Sequence, residues 1–165
     1  VTSAKVMLLG DIGVGKSSLA RRFVFDRFES EYKTTIGVDV LTHDVDLGAE
    51  ADNATLRFVL WDTDGDFGLR IFETVYLAGA SAAIIVADVT RPATLVKMAS
   101  LATGFEEKFP GRPVAAIVNK IDLAPQFAAD ASLSQFDAVY TSAKTGQGVA
   151  EMFLSLGHAI WRRAR

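Results

Sequence analysis

The chain has 165 residues, half of them hydrophobic and 22% charged, which describes one globular domain with a sizeable core rather than a disordered segment. Its formal net charge of −3 gives no reason to expect nucleic acid as a partner, since phosphates favour a basic face. Having no cysteine, these residues exclude disulfides, thiolate metal sites, a thiol nucleophile and cysteine lipidation.

The opening residues 1–9 lack the order of a signal peptide, and the longest apolar runs are far too short to span a bilayer, so a cytoplasmic protein is expected. Residues 4–9 form a short apolar run ending at Gly10 and suit a buried strand. From Lys16 to Phe25, Leu19, Ala20, Phe23 and Val24 recur at helical spacing. Residues 26–37 are polar and read as a loop. Residues 38–47 alternate, but the apolar members change phase near Thr42, which predicts a weaker or bulged strand. After a turn at 48–53, residues 55–61 place Leu56, Phe58 and Leu60 on one face, so the two strands predict an antiparallel hairpin. Residues 62–68 are rich in Asp and Gly and predict a loop, and 69–77 have helical character. Ala82 to Asp88 is a continuous apolar run, the mark of a strand covered on both faces. A helix with proline in its first turn follows over Pro92 to Lys108, then a buried strand at 113–118, a short helix at 126–136, a brief strand at 138–141 and a closing helix over Val149 to Arg163.

Strands alternate with helices without an internal repeat or linker, so residues 1–165 should form a single domain: a mostly parallel sheet with helices on both faces. Ligands in such folds sit at the carboxyl ends of strands, which directs attention to the loops after Leu9, Trp61, Asp88, Val118 and Thr141.

Those loops hold the unusual residues. Gly10-Asp11-Ile12-Gly13-Val14-Gly15-Lys16-Ser17 fits G-x-x-x-x-G-K-[ST] between a predicted strand and helix. Its glycines let backbone N–H groups turn around phosphate oxygens, the helix adds its positive end, Lys16 supplies charge and Ser17 offers a hydroxyl to magnesium. Asn119-Lys120-Ile121-Asp122 follows a buried strand. Asp122 can accept two parallel hydrogen bonds from guanine, a pair adenine does not offer. Asn119 can tie this loop to the phosphate loop, and the stem of Lys120 can cover a face of the base. Thr141-Ser142-Ala143-Lys144 follows the last strand, where small residues would let the Ala143 N–H reach the base carbonyl. Asp62 can hold magnesium through water, Gly65 can bring its N–H to a third phosphate, and the Thr35 hydroxyl could complete the magnesium shell when its loop closes over a triphosphate.

Together GDIGVGKS, the Thr35 loop, DTDG, NKID and TSAK resemble, in order and spacing, the Ras superfamily of small GTPases, over essentially the whole chain. Tyr32-Lys33-Thr34-Thr35-Ile36-Gly37-Val38-Asp39, Trp61-Asp62 and Ala87-Asp88-Val89-Thr90 are most similar to the Rab branch. The resemblance implies a P-loop NTPase three-layer fold with six strands, one of them antiparallel. It also implies a GDP/GTP switch that uses Mg2+, and exchange factors, activating proteins and effectors as partners. The nucleotide contacts it implies run through Asp11, Ile12, Gly13, Val14, Gly15, Lys16, Ser17 and Ser18 on the phosphate loop. They continue with Phe28, Thr35, Gly65, Asn119, Lys120, Asp122, Ser142, Ala143 and Lys144. Phe28 would pack edge-on against guanine, or equally serve as a loop anchor in the core.

Three departures matter. The family's D-T-A-G-Q-E is Asp62-Thr63-Asp64-Gly65-Asp66-Phe67 here, so Asp66 replaces the glutamine that orients water. A glutamine amide can both donate and accept. An ionised carboxylate only accepts, and it would face an anionic phosphate. Asp66 could act as a base toward water only with a cation nearby. Ile12 stands where the family prefers small residues and would crowd the third phosphate and any inserted arginine. The chain ends on Arg162-Arg163-Ala164-Arg165, which suits a helix C-terminus and does not support membrane association. The missing cysteine, the alanine richness and the odd switch residues fit a divergent relative, a prokaryotic one included. The expectation is therefore a GTP-hydrolysing switch of slow intrinsic rate, with Lys16, Thr35, Gly65 and, doubtfully, Asp66 at the reaction. The alternative is a GTP-binding scaffold with negligible hydrolysis.

Overall fold

The computed structural model describes residues 1–28, 37–63, 65–124 and 138–165. In chain order its elements are β1 (Thr2–Gly10), α1 (Lys16–Phe25), β2 (Val38–Asp46), β3 (Thr55–Thr63), β4 (Ala82–Asp88), α2 (Pro92–Lys108), β5 (Val114–Asn119), β6 (Val139–Tyr140) and α3 (Val149–Arg163). Short 3₁₀ turns cover Ala49–Ala51, Gly65–Glu73, Val75–Leu77 and Ile121–Leu123. The strands make one sheet in the order β2-β3-β1-β4-β5-β6. Every pairing is parallel except β2 with β3. This is the expected six-stranded, mostly parallel sheet with one antiparallel strand.

Alternation along the central strands builds two cores, one on each face. Ala4, Val6 and Leu8 of β1, with Ala82, Ile84 and Val86 of β4, meet α1 and α3 on one side. Met7 and Leu9, with Ala83, Ile85 and Ala87, meet α2 and the 3₁₀ turns on the other. α3 presents Val149, Met152, Phe153, Leu156 and Ile160 at helical spacing as its buried stripe. Phe153 stacks on Phe23 at 3.6 Å between ring centroids and meets Phe58 edge-on. Burying Phe58, Phe105 and Phe153 completely contributes roughly 2–3 kcal/mol each. His43 rests edge-on against Phe23, and His158 Nε2–H donates to Leu47 O at 2.7 Å; both are structural.

The bulge expected in the second strand is absent: β2 pairs residue for residue with β3 from Val38↔Thr63 to Asp46↔Thr55. β2 is an edge strand with no fully buried side chain, so its apolar pattern need not keep one phase. Leu41 and Val45 pack inward, while Val40 is exposed beside its partner Trp61. The loop expected at 62–68 also needs correction. Asp62 and Thr63 finish β3, because Asp62 still pairs with Leu8 and Thr63 Oγ1 donates to Leu8 O at 2.7 Å. Gly65 then opens a 3₁₀ run, kinked at Gly68, which takes up part of the helical segment expected at 69–77. That run lies against α2, where Lys108 Nζ donates to Phe72 O at 2.6 Å. The helix expected at 126–136 lies outside the described residues. Among the described residues no helix is long and apolar enough to cross a membrane.

Candidate functional site

The phosphate-binding motif leaves the carboxyl end of β1 and runs into α1. No side chain caps this helix, and its hydrogen-bond ladder opens with Leu19 N–H donating to Gly15 O at 2.9 Å. The N–H groups of Lys16, Ser17 and Ser18 therefore precede the ladder, at the positive end of the helix dipole. Gly15 has φ +102°, and a Cβ there would run into Asn119 Nδ2, so only glycine lets the two loops come this close. Lys16 is buried and curls across the loop, its Nζ donating to Gly10 O at 3.1 Å and Asp11 O at 3.0 Å. Val14 is buried beneath the loop, and Gly13 accepts from the neighbouring loop described next.

The loop after β5 is joined to the phosphate loop by side chains. Asn119 is buried and uses both ends of its amide: Nδ2 donates to Val14 O at 3.0 Å, while Oδ1 accepts from Thr141 Oγ1 at 3.0 Å and Ala143 N at 3.2 Å. Lys120 has the left-handed φ of +67°, a conformation that costs a non-glycine residue roughly 1–2 kcal/mol. Its ammonium donates to Gly13 O at 2.7 Å and pairs with Asp88 Oδ2 at 2.9 Å. Burial resists ionisation of Asp88. Hydrogen bonds from the Thr90 hydroxyl, the Lys120 ammonium and the Thr90 N–H outweigh it and hold the carboxyl below the ordinary carboxylate range. Asp122 follows on the 3₁₀ turn, where its Oδ1 accepts from Ser142 Oγ at 2.7 Å. The Ala143 N–H, expected to meet a base carbonyl, is directed at Asn119 Oδ1 instead, so a base would share that donor. Arg22 of α1 reaches this loop too, with Nε donating to Ala143 O at 2.8 Å and Nη2 to Lys144 O at 2.5 Å.

Ser17 and Asp62 meet across the phosphate loop: Ser17 Oγ donates to Asp62 Oδ2 in a short hydrogen bond. Asp62 is buried, and the pair offers a hydroxyl and a carboxylate, the oxygen donors a hard divalent cation takes. The residues present thus fit magnesium. Thr35 and Asp64 lie outside the described residues. Phe28 is 38% exposed.

The remaining edge of the site is built differently. Gly65 packs on the phosphate-loop backbone, where an added Cβ would stand 2.5 Å from Ile12 N. Ile12 is 38% exposed, and its N–H donates to Asp11 Oδ1 at 2.8 Å. Asp66 is exposed at the start of the 3₁₀ run, and its backbone carbonyl accepts from Arg70 Nη2 at 2.9 Å. Arg91, just before α2, donates from Nη1 to Ile12 O at 2.7 Å.

Two of these contributors have no signature of their own in the sequence. Arg22 and Arg91 act on backbone carbonyls 121 and 79 positions away, which no local pattern encodes. Asp88 did carry one signal, a carboxylate closing a strand of otherwise apolar residues.

Comparison with known proteins places the chain in a family. The model of the Ras family matches residues 5–162. The chain is 35% identical over 168 residues to "GTP-binding protein ypt5" of Schizosaccharomyces pombe, covering 94% of this chain and 77% of that one. It is also 35% identical over 164 residues to "Ras-related protein Rab-22A" of Homo sapiens, covering 94% and 82%. The Rab-22A of Canis lupus familiaris matches to the same extent.

Proposed function

Because the chain belongs to the Ras family of small GTPases, near its Rab branch, and is a small GTP-binding switch protein, we propose that it hydrolyses GTP slowly at one site between the phosphate loop and the loops after β3, β5 and β6. Family membership carries guanine nucleotide, regulators and effectors as partners in general. The observation that carries the assignment of the site is the junction of two loops: Asn119 Nδ2 on Val14 O and Lys120 Nζ on Gly13 O. It supports reading Asp122, on the same loop, as a base-recognising carboxylate next to a phosphate cradle.

In this reading Asp122 accepts the two guanine donors, Ser142 holds that carboxylate in place, the stem of Lys120 covers a face of the base and Phe28 packs edge-on against it. Backbone N–H groups from Gly13 to Ser18 and the Lys16 ammonium take the inner phosphates, and the Gly65 N–H takes the outermost. Ser17 would bind magnesium directly, Asp62 through water, and Thr35 on closure. When bound, magnesium would neutralise charge on the outer phosphates. Asp66 can only accept hydrogen bonds and brings negative charge toward the third phosphate, and Ile12 narrows the same space. Both features raise the barrier without weakening the cradle.

Single-turnover decay of bound GTP tests this. Converting Ile12→Gly and Asp66→Gln together should speed hydrolysis at least about tenfold, equivalent to about 1.4 kcal/mol of barrier. An unchanged rate would refute the account of the two residues while leaving binding intact. Titration with GTP and ATP tests the base separately, since tighter binding of ATP would refute the role given to Asp122.

A further inference from the structure

We propose that Arg91 is a positioning residue for the third phosphate, selectively strengthening the triphosphate state over the diphosphate state. The proposal rests on the reading of this site as a GTP site. Arg91 is fixed at its backbone: its N–H donates to Asp88 O at 3.0 Å, and its carbonyl accepts from Thr94 N at 2.9 Å and Thr94 Oγ1 at 2.7 Å. From that anchor the side chain crosses to the phosphate loop. Nη1 donates to Ile12 O at 2.7 Å, and Nη2 lies 4.0 Å from Asp11 Oδ2.

Residue 12 is consequently gripped from three sides. Its N–H donates to the Asp11 carboxylate, its carbonyl accepts from Arg91, and Gly65 rests on its backbone. The N–H groups that serve the inner phosphates begin at Gly13. Arg91 holds the carbonyl of the Ile12–Gly13 peptide, whose N–H is the outermost of the cradle, and Ile12 and Gly65 border the outer end beyond it, so loss of this hold should weigh more on a triphosphate than on a diphosphate. The arginine also offsets the negative charge that Asp11 brings to the same edge. Its side chain is 45% exposed, so the ion pair by itself is screened and weak; the neutral carbonyl bond supplies the geometry. A guanidinium suits this task because its rigid fork can address the carbonyl and the carboxylate at once.

The test is the rate at which a fluorescent GDP and a fluorescent non-hydrolysable GTP analogue leave the magnesium-loaded chain. Arg91→Ala should speed release of the GTP analogue about tenfold and of GDP less than about threefold. Arg91→Lys, which keeps the charge and one donor but not the fork, should recover only part of the difference. Equal acceleration of both nucleotides overturns the proposal, because a brace of the fold would loosen both alike. No change in either rate overturns it as well. If the unmutated chain binds neither nucleotide, the underlying assignment of the site falls and this inference falls with it, whereas normal binding with an unselective Arg91→Ala refutes this inference alone.

Discussion

The two ends of the site are built on opposite plans. At the base end, Asn119, Thr141, Ser142 and Ala143 are buried, and each takes part in at least one side-chain hydrogen bond that links separate loops. At the outer-phosphate end, Ile12 and Asp66 are exposed, and the contacts across the gap described above include a glycine against backbone and one arginine shared between a carbonyl and the Asp11 carboxylate. A buried, fully paired network is costly to disturb, whereas an exposed edge with few bonds opens at little cost. The difference teaches where a switch can change: in the proposed reading it would hold its ligand at one end and sense the extra phosphate at the other. Both departures from the family pattern, Ile12 and Asp66, fall on the second end, where on this reading replacement would leave the grip on the nucleotide alone.

The contrast can be broken most severely at Asp122. Asp122→Ala removes two charge-assisted hydrogen bonds to guanine and should weaken GDP binding by two to three orders of magnitude, about 3–4 kcal/mol. A fluorescence titration showing less than a tenfold loss would mean that the base end does not select the base.

Next in size is Asp88, 1% exposed and paired with Lys120. Asp88→Asn should cost about 1–3 kcal/mol at neutral pH, seen as a lower melting temperature, because it leaves charge-assisted bonds unmade. The sign with pH follows from the direction of its shift. A carboxyl held below its ordinary value gives stability that is complete above about pH 4 and is lost as pH falls through the lowered value. The gap between wild type and Asp88→Asn should therefore narrow only in strong acid, and a gap that already closes between pH 7 and 5 would assign it to another group.

The smallest effect sharpens the comparison. Arg22→Ala frees the Ala143 and Lys144 carbonyls and should raise GDP release about fivefold to tenfold, about 1 kcal/mol. Release of the GTP analogue should rise by the same factor, in contrast to Arg91→Ala. A selective effect from Arg22 would erase the division between the two ends.

Much of the architecture is legible in the chain because its central elements are locally consistent. The spans of α1, β4, α2 and α3 follow from apolar period and from Pro92 at the start of α2. β2 defeats period reasoning because an edge strand takes its register from its neighbour β3, not from burial of its own side chains. Asp62 and Thr63 defeat composition for a related reason: polar residues can finish a strand when its ladder and a Thr63 hydroxyl bond continue into β1. At the candidate site the loops that meet were legible from strand ends and motif chemistry. Of the side chains that brace them, Asn119 was legible from its motif and does bond to Val14 O; the bonds of Arg22, Lys120 and Arg91 were not, since each acts on a carbonyl far away in sequence.

The amide of Asn119 carries one more implication. Its nitrogen faces the carbonyl of Val14 and its oxygen faces a hydroxyl and an N–H, so the group is read as a directed dipole and cannot be turned over. Aspartate, identical in shape, would set oxygen against oxygen at Val14; serine or alanine would not span the distance; glutamine would overreach by a methylene. The position therefore favours this one side chain, and a change of one atom there would leave Lys120 on Gly13 O as the remaining side-chain bond described between the phosphate loop and the loop of Asp122.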